Sequence, residues 1–524
     1  MSQMLKSSGA MAVATMTSRV LGMVREIVYS WFMGAGLVAG AFQLAFQIPN
    51  LFRRLLGEGA LTASFIPIFK EKERTATPDE MWRAANAVIS GLVVVASIII
   101  VLAMIGITVA LKVNVYEPKT ELMLQLLRVM FPYMLLVTLT AIFMGMLNAR
   151  GHFFVPACGS LMMNLVMIGS VFLLAPHMGV TLQQQIFALA IGVLIAGAAQ
   201  ALFQLPTLRG EGFRYHWVSP WHDATVRRVV RQMIPGTIGI AAFQINVLMT
   251  QGVAFWVDPS IVAYFNYAVR LMELPQGVFG ISLATYLLPT LSGLAAEKKY
   301  DEFRSTLNQG IDHLMFINLL ATVLLFTLAE PIIRLLFEHG KFNATDTPEA
   351  SFALVCLAPG LLAFSLVNIL ARAFYALGDT KTPMQISIFC LGINLIFALV
   401  LVWHLKQGGL GIANTLSACF NVCLLFYALR RKLGRLEFSA LREMLLPIFA
   451  AGIIAAITSA LVRAKWEIAM GQQGLAMRLG AVFVPMTVAS LVYWLVALWF
   501  KVPPALELGH LILQKLPFPR KATR

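Results

Sequence analysis

The sequence predicts an all-helical protein that crosses a membrane many times. Three observations carry this. Hydrophobic residues make up 59% of the chain and charged residues only 12%, with a mean hydropathy of +0.78. The apolar residues fall into fourteen separate runs, each near or above the roughly 20 residues that span a bilayer core. The charges gather in the short segments between those runs. A soluble domain carries about 25% charged residues, and this much apolar surface would aggregate in water. In lipid, each span must pair its own backbone groups, which favours helix.

The runs cover 9–33, 37–69, 85–111, 122–148, 154–175, 184–206, 229–257, 260–294, 305–329, 350–376, 384–404, 409–429, 443–463 and 474–500. The second and eighth exceed a single span and contain Gly and Pro, so each is expected to bend. Lys6 and the small residues 9–14 resemble the start of a signal peptide, but Arg19 and Arg25 interrupt the apolar stretch. The segment therefore reads as an uncleaved first helix.

The basic residues orient the chain. Loops after even-numbered runs, with the adjoining run ends, hold nineteen Lys and Arg, and those after odd-numbered runs hold eight. The excess predicts that the even loops and both termini face the cytoplasm, with 503–524 as a basic cytoplasmic tail. The net charge of +15 is thus an orientation signal, not a nucleic-acid footprint. The longest loop, 207–228, is too short for a folded extramembrane domain.

The chain also repeats itself. Residues 58–67 resemble 280–289 at an offset of 222, Ala41-Phe42 matches Tyr264-Phe265 at 223, and 149–156 resembles 376–383 at 227. Three weak echoes in one order at nearly one offset describe two parallel six-helix halves, 1–208 and 223–432. The last two runs, 440–502, lie outside. Repeats of this kind belong to transporters, whose substrate sites lie where the halves face each other.

Charges inside the apolar runs are the candidate site. Arg19, Arg25 and Glu26 lie in the first run, and Arg53, Arg54 and Glu58 in the second. Arg128 lies in the fourth, Arg270 and Glu273 in the eighth, and Arg372 in the tenth. Arginine at mid-bilayer costs at least ~2.5–3.5 kcal/mol, so such residues usually line a cavity. Plainer roles compete. Arg54 with Glu58 and Arg270 with Glu273 have the spacing of neutralising pairs on one helix face, and Arg128 would snorkel from a helix start. Arg19 and Arg25 lie about 120° apart on an ideal helix, so they converge only where Gly22 lets the helix bend. Arg19, Arg25 and Arg270 together suit a diphosphate, because guanidinium stays charged and grips phosphate oxygens with two donors.

Other chemistry is not signalled. There is no nucleotide-binding loop, nucleophile elbow or zinc-protease motif, and no metal-ligand spacing among the histidines and cysteines. Cys419 and Cys423 share a helix face as small apolar residues. Asp312-His313 reads as a proton relay or, more simply, a structural polar contact. Gln244, Asn246, Asn368 and Asn394 read as inter-helix hydrogen bonds or ion ligands.

Certain strings carry a resemblance. Ser18-Arg19-Val20-Leu21-Gly22-Met23-Val24-Arg25 and Pro49-Asn50-Leu51-Phe52-Arg53-Arg54-Leu55-Leu56-Gly57-Glu58-Gly59-Ala60 closely resemble the MurJ (MviN) family of the multidrug/oligosaccharidyl-lipid/polysaccharide exporter superfamily. Arg270-Leu271-Met272-Glu273-Leu274-Pro275 and Asp379-Thr380-Lys381-Thr382-Pro383 fit as well. The match covers essentially the whole chain.

The resemblance implies a non-enzymatic flippase for lipid II, the undecaprenyl-diphosphate-linked peptidoglycan precursor, in the bacterial inner membrane. It implies a V-shaped central cavity in which Arg19, Arg25 and Arg270 receive the diphosphate. Arg53, Arg54 and Glu58 belong to that cavity or its gate, and the last two helices form a groove for the lipid tail. The expected partners are lipid II, membrane lipids and other cell-wall synthesis proteins. No cofactor is expected; membrane potential or a monovalent cation would drive transport. Relatives often carry an acidic residue where Gly40 stands and another where Val269 stands, and Glu26 or Glu273 would substitute. The alternatives are an exporter of another lipid-linked sugar or a drug and, from a different class, a membrane glycosyltransferase or polymerase. A drug exporter would need acidic or aromatic cavity residues, and an enzyme would need paired carboxylates.

Overall fold

The computed structural model describes residues 2–57, 60–434 and 438–515. They form two compact units, one of 1–263 with 339–343 and one of 264–338 with 344–524. The first contains α1 (Ser2–Met33), α2 (Leu37–Phe52), α3 (Ala60–Thr75), α4 (Pro78–Val113), α5 (Pro118–Met130), α6 (Tyr133–Ala149), α7 (Phe154–Gly169), α8 (Leu182–Gly210) and α9 (Ala224–Val257). The boundary falls within α10 (Pro259–Pro275). The second unit continues through α11 (Ser282–Ala296), α12 (Tyr300–Thr327), α13 (Ala329–Phe337), α14 (Asp346–Leu357), α15 (Gly360–Ala376), α16 (Lys381–Leu433), α17 (Phe438–Met470), α18 (Leu475–Trp499) and α19 (Pro503–Lys515).

Local sequence explains the helix starts. At α4, Thr77 accepts from the Glu80 N–H while Glu80 reaches back, and Pro78 occupies the first turn. Thr181 and Gln184 repeat that reciprocal cap at α8. Asp223 caps α9, accepting from Thr225 and Val226 at 2.7 and 3.1 Å.

Both overlong runs are interrupted where a bend was expected. A π-helical turn occupies Arg53–Gly57 in one and Gln276–Ile281 in the other, with starts 223 residues apart. Two further breaks were not anticipated. α5 and α6 meet at 43° around Pro132, and α14 and α15 at 41° around Pro359, 227 residues later. Proline removes a helix donor and crowds the preceding turn. Gly151 and Gly378, also 227 apart, both take positive φ, +87° and +74°. Each ends its helix the same way: His152 N–H donates to Leu147 O and Asp379 N–H to Phe374 O, both at 2.9 Å.

Among the described residues, nine helices are long and apolar enough to cross a membrane, or eleven if each bent pair is one span. One of them, α16, is two helices joined at Lys406, which takes φ +48°. The tail read as 503–524 contains α19, which buries Ala505, next to Val502 before it, in the second unit's core. Its apolar face was hidden in the sequence by flanking prolines and basic residues.

Each unit has its own core. In the first, Phe65, Phe69, Trp82, Phe143 and Phe213 cluster. In the second, Phe303, Leu370 and Phe374 pack with Ile448 and Tyr493 of α17 and α18, and the Tyr493 hydroxyl donates to Phe316 O at 2.9 Å.

The loop charges are ordered on both kinds of loop. On the even loops of the first unit, Arg150 joins Glu73 at 2.6 Å and Glu211 at 2.7 Å, and His152 also meets Glu211 at 2.7 Å. His152 and Arg150 together hold the Glu211 carboxyl below the usual carboxylate range. On the even loops of the second unit, Lys432 and the Thr382 N–H do the same for Asp379. On the odd loops of the second unit, Arg334, Arg463 and Arg478 are all paired, with Glu330, Glu338 and Glu467.

Candidate functional site: a tethered arginine in the first helix

Arg25 is shielded and held through both of its Nη groups. It projects from α1 toward α7 with 16% of its side chain exposed. One Nη donates to Glu26 Oε1 at 2.6 Å, and the other to Asn164 Oδ1 at 3.0 Å. The guanidinium carbon also lies 5.5 Å from the Tyr29 ring centre, within cation–π range. Glu26 is itself 7% exposed. Arg25 Nε is buried and has no hydrogen-bond acceptor.

Asn164 makes this arrangement possible. Its Nδ2 donates to Ser18 O at 3.1 Å while its Oδ1 holds Arg25. One side chain of α7 thereby grips α1 at two points, two turns apart. Gly22 lies between them; a Cβ there would stand 3.7 Å from Asn164 Nδ2. Ser18 and Ser160 close the row with a 2.8 Å bond. Sequence reasoning passed over Asn164, although a lone amide within Ser160–Gly169 is the kind of polar residue that glues membrane helices.

The other expected residues sit differently. Arg19 is half-buried on the same unbroken helix and makes no ion pair or hydrogen bond among the described residues. α1 continues through Gly22 without a break, so helical geometry keeps Arg19 and Arg25 on different faces. The convergence by bending at Gly22 is not met. Arg53 and Arg54 occupy the π-helical turn, and Arg53 Nε donates to Asn50 Oδ1 at 2.7 Å. Glu58 lies outside the described residues. Arg270, in the second unit, is 40% exposed and pairs with Glu273 one turn on at 2.8 Å. Arg128 lies in the last turn of α5, beside the Pro132 break rather than at a helix start. His313 turns away from Asp312: its Nε2 meets Glu507 of α19 at 2.9 Å and its Nδ1 meets Gln309 O. Asn368 bonds within its own helix, to Phe364 O.

Gly40 has a structural cause. A Cβ at this position of α2 would lie 2.0 Å from Pro259 O and 2.7 Å from Pro259 C. Backbone approaches this closely only where no side chain intervenes. An acidic residue has no room at Gly40 in this arrangement. Asp258, just before that proline, instead spends its carboxylate on Ser260, accepting from its N–H and hydroxyl at 2.9 and 2.6 Å.

Known proteins match the chain along most of its length. The family profile "Lipid II flippase MurJ" matches residues 29–495. A probable lipid II flippase MurJ of Vibrio cholerae serotype O1 is 34% identical over 440 residues, covering 82% of this chain and 83% of the relative. One of Rhizobium tropici is 31% identical over 494 residues and covers 92% of each. Among solved structures, "Lipid II flippase MurJ, inward closed conformation" aligns with a TM-score of 0.76 at 21% identity, over 94% of this chain and 98% of that one. An inward-facing multidrug-resistance MATE transporter of the MOP superfamily aligns at 0.64 and 15% identity, over 81% and 99%. At this identity the two structures establish a shared fold. With the profile spanning most of the chain and relatives above 30% identity over four-fifths or more of it, the chain belongs to the MurJ lipid II flippase family.

Proposed function

We propose that this protein translocates lipid II from the cytoplasmic to the periplasmic leaflet of a bacterial inner membrane by alternating access. The observation that carries the reading is Arg25. Burying a guanidinium with an unfilled donor is costly, about 1–3 kcal/mol for an unsatisfied buried group. A phosphate oxygen reaching Nε once the site opens would recover that cost. Asn164 and Glu26 hold the fork in place beforehand, so little side-chain entropy is lost on binding. In this reading Arg25 is the principal diphosphate ligand. Arg19 and Arg270 contribute charge, Arg53, Arg54 and Glu58 act at the cavity or its gate, and Glu273 is the counter-ion that Arg270 releases.

The topology of the reading has fourteen spans, with both termini and the even loops cytoplasmic. It takes α16 as two spans, each bent pair as one, and α1 and α2–α3 as two more. Matching caps and breaks at offsets of 223 and 227 support six-helix halves at 1–208 and 223–432, with 440–502 reserved for the lipid tail. The protein acts as a carrier and makes no covalent bond with its cargo. Membrane potential, worth about 2.3 kcal/mol per charge per 100 mV, is a sufficient driver for an anionic headgroup; a monovalent cation and other cell-wall synthesis proteins complete the proposed partners.

The test is translocation of labelled lipid II in proteoliposomes. Arg25→Ala is expected to abolish it and Arg25→Lys to leave a small residue, since ammonium lacks the planar fork. Native-rate translocation by Arg25→Ala would overturn the assignment.

A further inference from the structure

We propose that residues 209–231 form a binding surface for anionic phospholipid headgroups, independent of the carrier site. The placement in the cytoplasmic leaflet rests on the orientation proposed above.

The segment after α8 has no regular secondary structure until α9, yet it is firmly held. Asn86 of α4, fully buried, donates from Nδ2 to Arg214 O at 2.9 Å and meets His216 Nδ1 at the same distance. The Val218 N–H donates to Ser90 Oγ at 3.4 Å. Pro220 lies against Gly91, where an added Cβ would stand 3.2 Å from the proline Cβ. The chain therefore runs along residues 86–91 of α4.

That anchorage has a defined depth. α4 is buried from Ala84 to Ser90, and its outward apolar side chains begin at Val95 and continue to Val113. At ~1.5 Å rise per residue this stretch spans about 27 Å, close to the hydrocarbon thickness. The segment lies just past one end of it, at the level of the headgroups. Phe213 is buried in the core, but Tyr215, Trp217 and Trp221 are 51%, 58% and 66% exposed, the Tyr215 hydroxyl meeting Ser90 Oγ at 3.3 Å. Amphipathic rings concentrate at this level.

The charges supply the chemistry. Arg209, Arg214, Arg227 and Arg231 are exposed, and none has an ion-pair partner among the described residues. Their neighbour Arg228 does, gripping Glu71 with two bonds of 2.7 and 2.8 Å. Arg227 sits in the first turn of α9, where the helix dipole disfavours a cation. The odd-loop arginines of the second unit, in contrast, are all neutralised by glutamates. Four separated guanidiniums beside exposed rings match several single-charge headgroups in a leaflet. A diphosphate would need donors that converge.

The experiment uses the full chain in neutral detergent, titrated with brominated phosphatidylglycerol or brominated phosphatidylcholine while tryptophan fluorescence is followed. Phosphatidylglycerol is expected to quench at lower concentration, and added salt to remove the difference. Each Arg→Gln change among Arg209, Arg214, Arg227 and Arg231 is expected to weaken it by about fivefold. The four Arg→Lys changes should retain most of it, which separates charge loss from misfolding. Trp217→Phe with Trp221→Phe should remove the selective quenching at unchanged melting temperature. Equal quenching by the two lipids in the native chain, or an unaltered preference when all four arginines are changed to Gln, would overturn the proposal. Displacement of phosphatidylglycerol from the patch by undecaprenyl diphosphate would overturn it too, by making the patch a substrate site.

Discussion

Arg25 and Arg270 look alike in the sequence. Each sits in an apolar run, and each has a glutamate within three residues. In the structure they are different objects. Arg25 is shielded, fixed by an asparagine from another helix, and left with one empty donor. Arg270 is exposed and tied to Glu273 on its own helix. A pair of exposed charges one turn apart is worth only a few tenths of a kcal/mol, so the Arg270–Glu273 contact itself is broken at little cost. The Arg25–Glu26 contact is not, because removing either member of a buried pair is strongly destabilising. In the function proposed above the two arginines would differ accordingly, Arg25 as a preorganised receptor and Arg270 as a counter-charge.

The sharpest way to break this comparison is Arg25→Ala. It takes the Arg25 guanidinium away from the buried Glu26, at a cost of up to about 3–5 kcal/mol. We expect loss of both translocation and thermal stability, and Arg25→Ala with Glu26→Gln should regain stability without regaining transport. Melting curves and proteoliposome assays on the same samples separate the two effects. Gly40→Asp comes next. The aspartate Cβ has no room beside Pro259 O, so a drop of about 1–3 kcal/mol is expected, as for overpacked sites, visible as a lowered melting temperature. A native melting temperature for that variant would mean that the contact is easily relaxed.

Asn164→Ala removes the tether and keeps the charge. The expected loss of lipid II affinity is about tenfold, near the value of one hydrogen bond to a charged group, with the variant still folded. Arg270→Gln should slow translocation while leaving thermal stability within about 0.5 kcal/mol, as for exposed positions; a large stability loss would contradict its counter-charge role.

The smallest effect concerns the even-loop cluster. His152 and Arg150 lower the folded-state pKa of Glu211. A carboxyl lowered in this way adds stability that is fully present above its unfolded pKa and is lost as pH falls through the folded one. Stability should therefore decline on acidification below about pH 4.3, the ordinary glutamate value. Glu211→Gln should flatten that decline and cost up to about 1 kcal/mol at neutral pH, read from melting temperature against pH.

Much of the architecture was legible because bilayer rules act on composition. The apolar runs, the interruptions near residues 53 and 276, and the paired glycines Gly151 and Gly378 all follow from span length, proline and positive φ. The breaks at Pro132 and Pro359 were equally present in the offset of 227 and were passed over, because each run was short enough for one span. Within the candidate site the charged residues could be found, since charge in an apolar run is conspicuous. Asn164 could not be assigned a partner, because its two contacts lie 139 and 146 residues away.

The sequence by itself determined the membrane, the helices, the repeat and the set of candidate arginines, since these depend on local composition and spacing. Only tertiary structure decided which arginine is held, why Gly40 carries no side chain, and which loop cations are neutralised. Each of those outcomes depends on an atom from another helix arriving within about 3 Å, the length of a hydrogen bond, and one-dimensional spacing carries no such distance.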